Sequence, residues 1–194
     1  MNLDKRLFDI LNKQKILPLI NSKNLDEDIK IIESLINVNN NLKIIEITLR
    51  EKNSLNNAIQ LKKMFPNLII GLGTILNIET LRNIQNNNFE FFISPSFIPE
   101  IINENIQNYI PGAETISEFN ILFNKNYNVI KFFPATLSGG SKKLISIKNI
   151  FKNLFFLPTG GINIDNINDY LILENVICVG LSNINDIILY FKNK

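Results

Sequence analysis

Residues 43–73 read KIIEITLREKNSLNNAIQLKKMFPNLIIGLG and contain one complete strand–helix–strand unit. Lys43–Thr48 is a short isoleucine-rich run, Leu55, Ala58, Ile59 and Leu61 then recur at helical spacing, and Leu68–Gly71 is apolar again. Short apolar runs with β-branched content predict buried strands, and the 3.6-residue period predicts a helix with one apolar face. A helix joining two strands buried on both faces implies parallel pairing, because a parallel sheet is covered on both sides.

The same pattern extends outward in both directions. Further strands are expected at Ile16–Ile20, Phe91–Ile93, Tyr109–Ile110, Val129–Phe132, Leu154–Leu157 and Ile177–Val179, with helical spacing at Leu25, Ile29, Ile32, Leu35 and Ile36 and at Ile78, Leu81 and Ile84. Asp26, Glu27 and Asp28 fall in a first helical turn, and Asn77 and either Thr115 or Ser117 can cap other helices. The asparagine clusters at 39–41 and 86–88 mark turns. Eight strand candidates, each followed by a helix candidate and preceded by an N-terminal helix around Leu3–Leu11, predict an α/β fold. Its expected form is a compact (β/α)8 TIM barrel, a single domain over residues 1–194. An open doubly wound sheet is the alternative.

Composition narrows the chemistry. The chain has no histidine and one cysteine, Cys178, so imidazole proton shuttles, Ser-His-Asp and Cys-His arrangements, a His-built zinc site and an internal disulfide are all excluded. Carboxylates, lysine, tyrosine, hydroxyls and backbone dipoles remain. With 20 basic against 18 acidic residues and no dense Lys/Arg run, neither a nucleic-acid nor a membrane partner is expected. The N-terminal residues lack a continuous apolar signal region, so a cytoplasmic protein is expected.

Within that restricted set, Lys131 stands out in Val129-Ile130-Lys131-Phe132-Phe133-Pro134. A lysine on a buried strand either extends its stem along the core to reach water or is partly desolvated, which favours the free amine that attacks carbonyls. Glu46 is the second candidate. Period-two alternation puts Ile44, Glu46 and Thr48 on one face, which places a carboxylate within an apolar strand, where it serves proton transfer or a structural ion pair with Lys43 or Lys131. Arg50, one of three arginines, follows at the strand end and can either grip a substrate carboxylate or form a surface salt bridge.

All eight glycines lie between residues 71 and 180, at or just after expected strand ends, the face on which parallel α/β proteins bind ligands. Gly160-Gly161, expected next to a helix N-terminus, and Gly180-Leu181-Ser182 follow the last two strands, where barrel enzymes frequently hold phosphate.

Seven collinear stretches carry a resemblance: IIEITLR (44–50), GLGTILN (71–77), ISPSF (93–97), IPG (110–112), IKFFPA (130–135), SGG (138–140) and FLPTGGIN (156–163). Together they resemble the bacterial 2-keto-3-deoxy-6-phosphogluconate (KDPG) aldolase family, class I aldolases that include 4-hydroxy-2-oxoglutarate aldolase activity. The resemblance implies that Lys131 forms a Schiff base with the keto substrate and that Glu46 is the general acid/base. It also implies that Arg50 and Thr74 hold the substrate carboxylate and that Pro95 and Phe133 shape the pocket. Thr159 would face the substrate hydroxyls, and Gly160, Gly161 and Ser182 would bind phosphate. No metal or other cofactor is implied; a small keto-acid phosphate is the implied partner and a homotrimer the implied assembly. The chain departs from the family pattern at Ala113-Glu114, which brings an extra acid near the mouth, at Thr136, where relatives often carry Glu, and at Gly180-Leu181-Ser182-Asn183. Cleavage of KDPG to pyruvate and glyceraldehyde 3-phosphate is the leading expectation. A 4-hydroxy-2-oxoglutarate aldolase and a non-catalytic sugar-phosphate binding barrel are the alternatives.

Overall fold

The computed structural model describes residues 2–194. An N-terminal helix, α1 (Lys5–Gln14), precedes an alternation of strands and helices: β1 (Ile16–Asn21), α2 (Leu25–Val38), β2 (Ile44–Thr48), α3 (Ser54–Met64), β3 (Ile69–Gly73), α4 (Ile78–Gln85), β4 (Phe92–Ile93) and α5 (Pro99–Glu104). The second half continues with β5 (Tyr109–Ile110), β6 (Gly112–Ala113), α6 (Ile116–Asn124), β7 (Val129–Phe132), α7 (Gly140–Ile147), β8 (Phe155–Pro158), α8 (Asn168–Leu171), β9 (Val179–Leu181) and α9 (Ile184–Lys192).

All strand pairs are parallel, in a six-stranded segment ordered β5-β4-β3-β2-β1-β9 and a three-stranded segment ordered β6-β7-β8. The protein is therefore an α/β fold on a curled parallel sheet. The expected strand at Tyr109–Ile110 continues as a second short strand beyond Pro111. Proline has no N–H to give a ladder, so pairing breaks there, although the Pro111 carbonyl still accepts from Lys131 N at 2.9 Å. At the other edge, parallel bridges join Phe156 to Val176 and Thr159 to Gly180, and Ile177 N donates to Phe156 O.

Alternation along the strands separates two apolar clusters. Ile45, Ile47, Ile70, Leu72, Ile130 and Phe132 face the outer helices, packing with Ile32, Leu35, Leu61 and Phe119. The opposite face carries Leu17, Leu19, Ile44, Phe91, Ile93, Ile110, Val129 and Leu157, and Leu3, Leu7 and Leu11 of the N-terminal segment join that cluster. Helix α1 presents Leu7 and Leu11 one turn apart, and the Asp4 side chain caps it by accepting from Leu7 N at 2.8 Å. Gln14 fastens its far end to the sheet. The Gln14 side chain donates to the carbonyls of Ile16 and Ile44 and accepts from the amides of Lys43 and Ile44. The inner apolar cluster is thus covered by α1 at the amino-terminal end of the strands, and the carboxyl end is left for a site.

Asn77 caps α4, and Thr115, not Ser117, caps α6 through a capping box with Glu118. Asp26, Glu27 and Asp28 all occupy the first turn of α2. One expectation fails: no helix begins beside Gly160-Gly161. The segment after them forms a turn built on Asn163 and Asn166, and α8, only four residues long, starts at Asn168. The asparagine side chains accept the local amide hydrogen bonds that a helix would otherwise make.

Candidate active site

Lys131 and Glu46 meet at the centre of the curl. Their strands bring in side chains from opposite parts of the chain. Glu46 lies opposite Leu19 on β1 and Gly71 on β3, while Lys131 lies opposite Gly112 on β6 and Leu157 on β8. The ammonium nitrogen is 3.7 Å from Glu46 Oε1, and the two side chains are 4% and 0% exposed. Of the two cations offered by the sequence, Lys131 is therefore the partner of Glu46; Lys43 is exposed and lies before β2.

This separation is an ion-pair contact without a hydrogen bond. Neither carboxylate oxygen of Glu46 has a hydrogen-bond partner, although both are buried. Burial pushes the Glu46 carboxyl above the ordinary glutamate range, with the charges of Lys131 and Arg50 pulling it partly back. A buried carboxyl without fixed partners can both take and return a proton. The Lys131 nitrogen also sits 5.6 Å from the centre of the Phe133 ring, the next side chain on the same face.

Two glycines make this packing possible by lacking a side chain. A Cβ on Gly73 would fall 1.7 Å from Glu46 Oε1, and one on Gly180 would fall 2.3 Å from Thr159 Oγ1. At these two positions the requirement is space for the acid and the hydroxyl.

Above the pair is a cavity of about 140 Å³ lined by residues including Arg50, Phe133, Thr159, Gly160, Gly161 and Ser182. Six of the expected site residues therefore surround one opening, with Glu46 and Lys131 buried next to it. Asn21 and Thr48 also line it, and sequence alone did not single them out as site residues. Their period-two position at the ends of β1 and β2 was the available signal, and their hydrogen bond, Thr48 Oγ1 to Asn21 Oδ1 at 3.1 Å, ties the two strand tips together. Thr159 Oγ1 is a third buried oxygen without a partner.

Thr74 and Pro95 lie at the ends of β3 and β4, outside this lining. Thr74 adopts φ +64, a left-handed conformation that costs a β-branched residue on the order of 1–3 kcal/mol. Such strain is characteristic of functional positions. Gly160 and Gly161 both have positive φ, and Thr136 N donates to Gly160 O at 3.2 Å. The Thr136 hydroxyl adds a bond of its own, donating to Gly160 O at 3.3 Å, so the departure at this position braces the glycine loop. Glu114, the extra acid, accepts from Ser138 Oγ at 2.6 Å, and its carbonyl accepts from Lys143 Nζ. Ser182 precedes α9, whose N-cap Asn183 accepts from the amides of Asn185 and Asp186.

A larger cavity, about 440 Å³, opens at the amino-terminal end of the strands beside Lys13, Lys15 and Lys43. The smaller cavity is lined by Thr48 and Phe133, each two residues beyond Glu46 or Lys131 on the same strand face, and the larger one has no such neighbour of the pair, so the chemistry is assigned to the smaller one.

Comparison with known proteins gives a consistent result. The family model for KDPG and KHG aldolase matches residues 7–193. The KHG/KDPG aldolase of Escherichia coli is 33% identical over 174 residues, covering 88% of this chain and 81% of the other. The 2-dehydro-3-deoxy-phosphogluconate aldolase of Dickeya dadantii is 32% identical over 174 residues, with the same coverage of both chains. Among solved structures, a KDPG aldolase from Legionella pneumophila, with pyruvate captured at low pH as a covalent carbinolamine intermediate, superposes with a TM-score of 0.86 at 29% identity, covering 96% of each chain. With a family model spanning nearly its whole length and relatives this similar, the chain belongs to the KDPG and KHG aldolase family.

Proposed function

We propose that this protein is a class I aldolase that cleaves KDPG to pyruvate and glyceraldehyde 3-phosphate. The observation that carries the reading is the buried pair: an amine 3.7 Å from a carboxyl whose two oxygens have no protein partner. The curated relatives named as aldolases of this substrate support it.

Lys131 Nζ attacks the C2 carbonyl, and the carbinolamine takes a proton from the Glu46 carboxyl and loses water, giving a protonated imine and the Glu46 carboxylate. Glu46 carboxylate removes the proton of the C4 hydroxyl. The C3–C4 bond breaks, its electron pair passes into the imine to form an enamine, and the aldehyde leaves. Protonation of C3 by the same carboxyl restores the protonated imine, and attack by water releases pyruvate and the free amine, with the remaining proton returning to the Glu46 carboxylate. A single partnerless carboxyl suits this sequence, since each proton it takes is returned later. Arg50 and Thr74 hold the substrate carboxylate, Pro95 and Phe133 shape the pocket, and Thr159 faces the hydroxyls. Gly160, Gly161 and Ser182 receive the phosphate. The positive φ of both glycines and the N-terminus of α9 beyond Ser182 support that last assignment.

The architecture that goes with this reading is one closed (β/α)8 barrel domain over residues 1–194. The bridges between β8 and β9 and the short step from β5 to β6 across Pro111 support it. A homotrimer is what the family resemblance implies, and a cytoplasmic location is proposed with it; the exposed Ile116, Ile121 and Leu137 are candidate subunit contacts, and sedimentation would test the assembly. Among the described residues, no helix is long and apolar enough to cross a membrane.

Borohydride reduction in the presence of pyruvate tests the chemistry. A pyruvyl adduct on the peptide containing Lys131 is expected. A folded protein that gives no adduct would remove the aldolase reading and leave a sugar-phosphate binding barrel.

A further inference from the structure

Among the described residues, one buried charged side chain lies outside the pair just described. Asp28, in the first turn of α2, is 2% exposed, although its neighbours Asp26 and Glu27 face solvent. Its carboxylate accepts from Ser22 Oγ, the residue that follows β1 and is itself fully buried. Ser22 Oγ accepts in turn from Asn57 Nδ2 at 3.0 Å, and the Ser22 carbonyl accepts from Ser54 Oγ at 3.0 Å. Ser54 Oγ then accepts from Glu51 N at 3.1 Å, and Ser54 N donates to Glu51 O at 3.1 Å.

This chain of contacts ends at the turn that carries Arg50. Before Arg50, Leu49 N donates to Gly73 O at 2.8 Å, and after it, Glu51 N is held by Ser54. Arg50 therefore sits between two backbone anchors. One comes from the strand that leaves room for Glu46, and the other leads back to Asp28. The arrangement also explains a local oddity: Asn53, the N-cap of α3, makes no side-chain cap, while Ser54 directs its hydroxyl across to Ser22.

A buried carboxylate is costly, and burial pushes the Asp28 carboxyl up while the Ser22 hydrogen bond pulls it back. The position at a helix N-terminus offsets part of that cost. An alanine would fill the same place in α2 without it, so the network requires another explanation. A charged acceptor holds the Ser22 hydroxyl more firmly than a neutral one, and fixing that side chain fixes the residue whose backbone carbonyl receives Ser54 Oγ.

We infer that Asp28 is a positioning residue for the proposed aldol reaction: through Ser22 and Ser54 it fixes the turn that presents Arg50 to the substrate carboxylate. The inference rests on the proposed role of Arg50, and its test separates the two. Steady-state cleavage of KDPG is measured for Asp28→Ala, Asp28→Asn, Ser54→Ala, Arg50→Ala and Asp28→Ala/Arg50→Ala, with circular dichroism to establish folding. Asp28→Ala is expected to raise KM about tenfold, the scale of a hydrogen bond's net contribution, with kcat little changed. Asp28→Asn keeps an oxygen acceptor and is expected to recover most of the loss. Ser54→Ala, which removes the link without touching Asp28, is expected to raise KM in the same way. The double variant is expected to match Arg50→Ala alone, because the network acts only through that side chain. If Arg50→Ala raises KM while Asp28→Ala and Ser54→Ala do not, or if the effects of Asp28→Ala and Arg50→Ala multiply, the positioning role is wrong and the Arg50 assignment stands. If Arg50→Ala leaves KM unchanged, both are wrong.

Discussion

Gly73→Ala tests how Glu46, the proposed general acid/base, is placed. The added Cβ would lie 1.7 Å from Glu46 Oε1, 2.4 Å from Cδ and 2.8 Å from Cγ. Non-bonded atoms need about 3.5 Å, so the carboxyl must withdraw by roughly 2 Å. Glu46 is fully buried on β2, between Leu19 of β1 and Gly71 of β3, and its carboxyl now lies 3.7 Å from the Lys131 nitrogen. A retreat of that size takes it out of reach of the reacting atoms. Since misplacement by about 1 Å costs on the order of 100-fold in rate, kcat for KDPG cleavage is expected to fall by at least about 100-fold. Lys131 is on β7 and is not displaced, so borohydride trapping at saturating pyruvate should persist at a lower rate. Pyruvate release in a coupled assay gives kcat, and mass analysis gives the adduct. A folded Gly73→Ala protein with the unmodified kcat would refute the argument, because the carboxyl would then be working from a position this packing forbids.

Three further outcomes follow from the same geometry. Replacing both members of the buried pair, Glu46→Leu with Lys131→Met, should abolish activity and raise stability in urea at neutral pH by about 1–4 kcal/mol, as removal of buried ion pairs often does. Because the folded-state carboxyl of Glu46 lies above its unfolded value, its contribution is present below the unfolded pKa and is lost as pH rises through the folded one. The stability gap between the double variant and the unmodified protein should therefore widen with rising pH and narrow on acidification; a gap that widens with acid would reverse the assigned shift. Ser182→Asp places a negative charge on the cavity rim and should selectively impair the phosphorylated substrate, sparing 4-hydroxy-2-oxoglutarate; equal turnover of KDPG by variant and parent would remove the phosphate assignment. Leu11→Ala, in the helix that covers the inner cluster, should cost about 2–5 kcal/mol in urea denaturation, and a cost below 1 kcal/mol would show that α1 contributes little to closing that end.

Much of the site could be read from local pattern, because strand alternation assigns a face without needing the partner strand. Ile44, Glu46 and Thr48 share a face in sequence as they do in the fold, and the same rule places Val129, Lys131 and Phe133 together. What alternation does not supply is pairing across the curl. Glu46 had Lys43 three residues away and Lys131 far along the chain, and only the register of separate strands selects the second. Asp28 was visible as one of three acids in a first helical turn, but its turning inward depends on Ser22, Ser54 and Asn57, which come from two other segments. Gly73 and Gly180 were conspicuous for their positions, yet the reason for glycine lies in neighbours across the sheet, Glu46 and Thr159. The helix expected after Gly161 was misplaced because Asn163 and Asn166 form a turn with their own side chains.

The partnerless oxygens of Glu46 and Thr159 and the unusual backbone of Thr74 all lie toward the carboxyl end of the strands. An unpaired buried oxygen costs about 1–3 kcal/mol; Tyr127, Asn175 and Tyr190 carry such oxygens elsewhere in the fold, while those of Glu46 and Thr159 lie beside the cavity. At the other end, the same inner face is apolar, and α1 covers it with Leu3, Leu7 and Leu11 while Gln14 stitches the helix to β1 and β2. The two demands are met at different heights of the same strands. The apolar half of the inner face is closed by α1, and beyond it the strands hold an amine and an acid 3.7 Å apart, a geometry suited to the proposed proton transfers and imine formation. The absence of histidine fits this division: a lysine and one carboxyl, held by glycine-cleared space, are sufficient for both tasks.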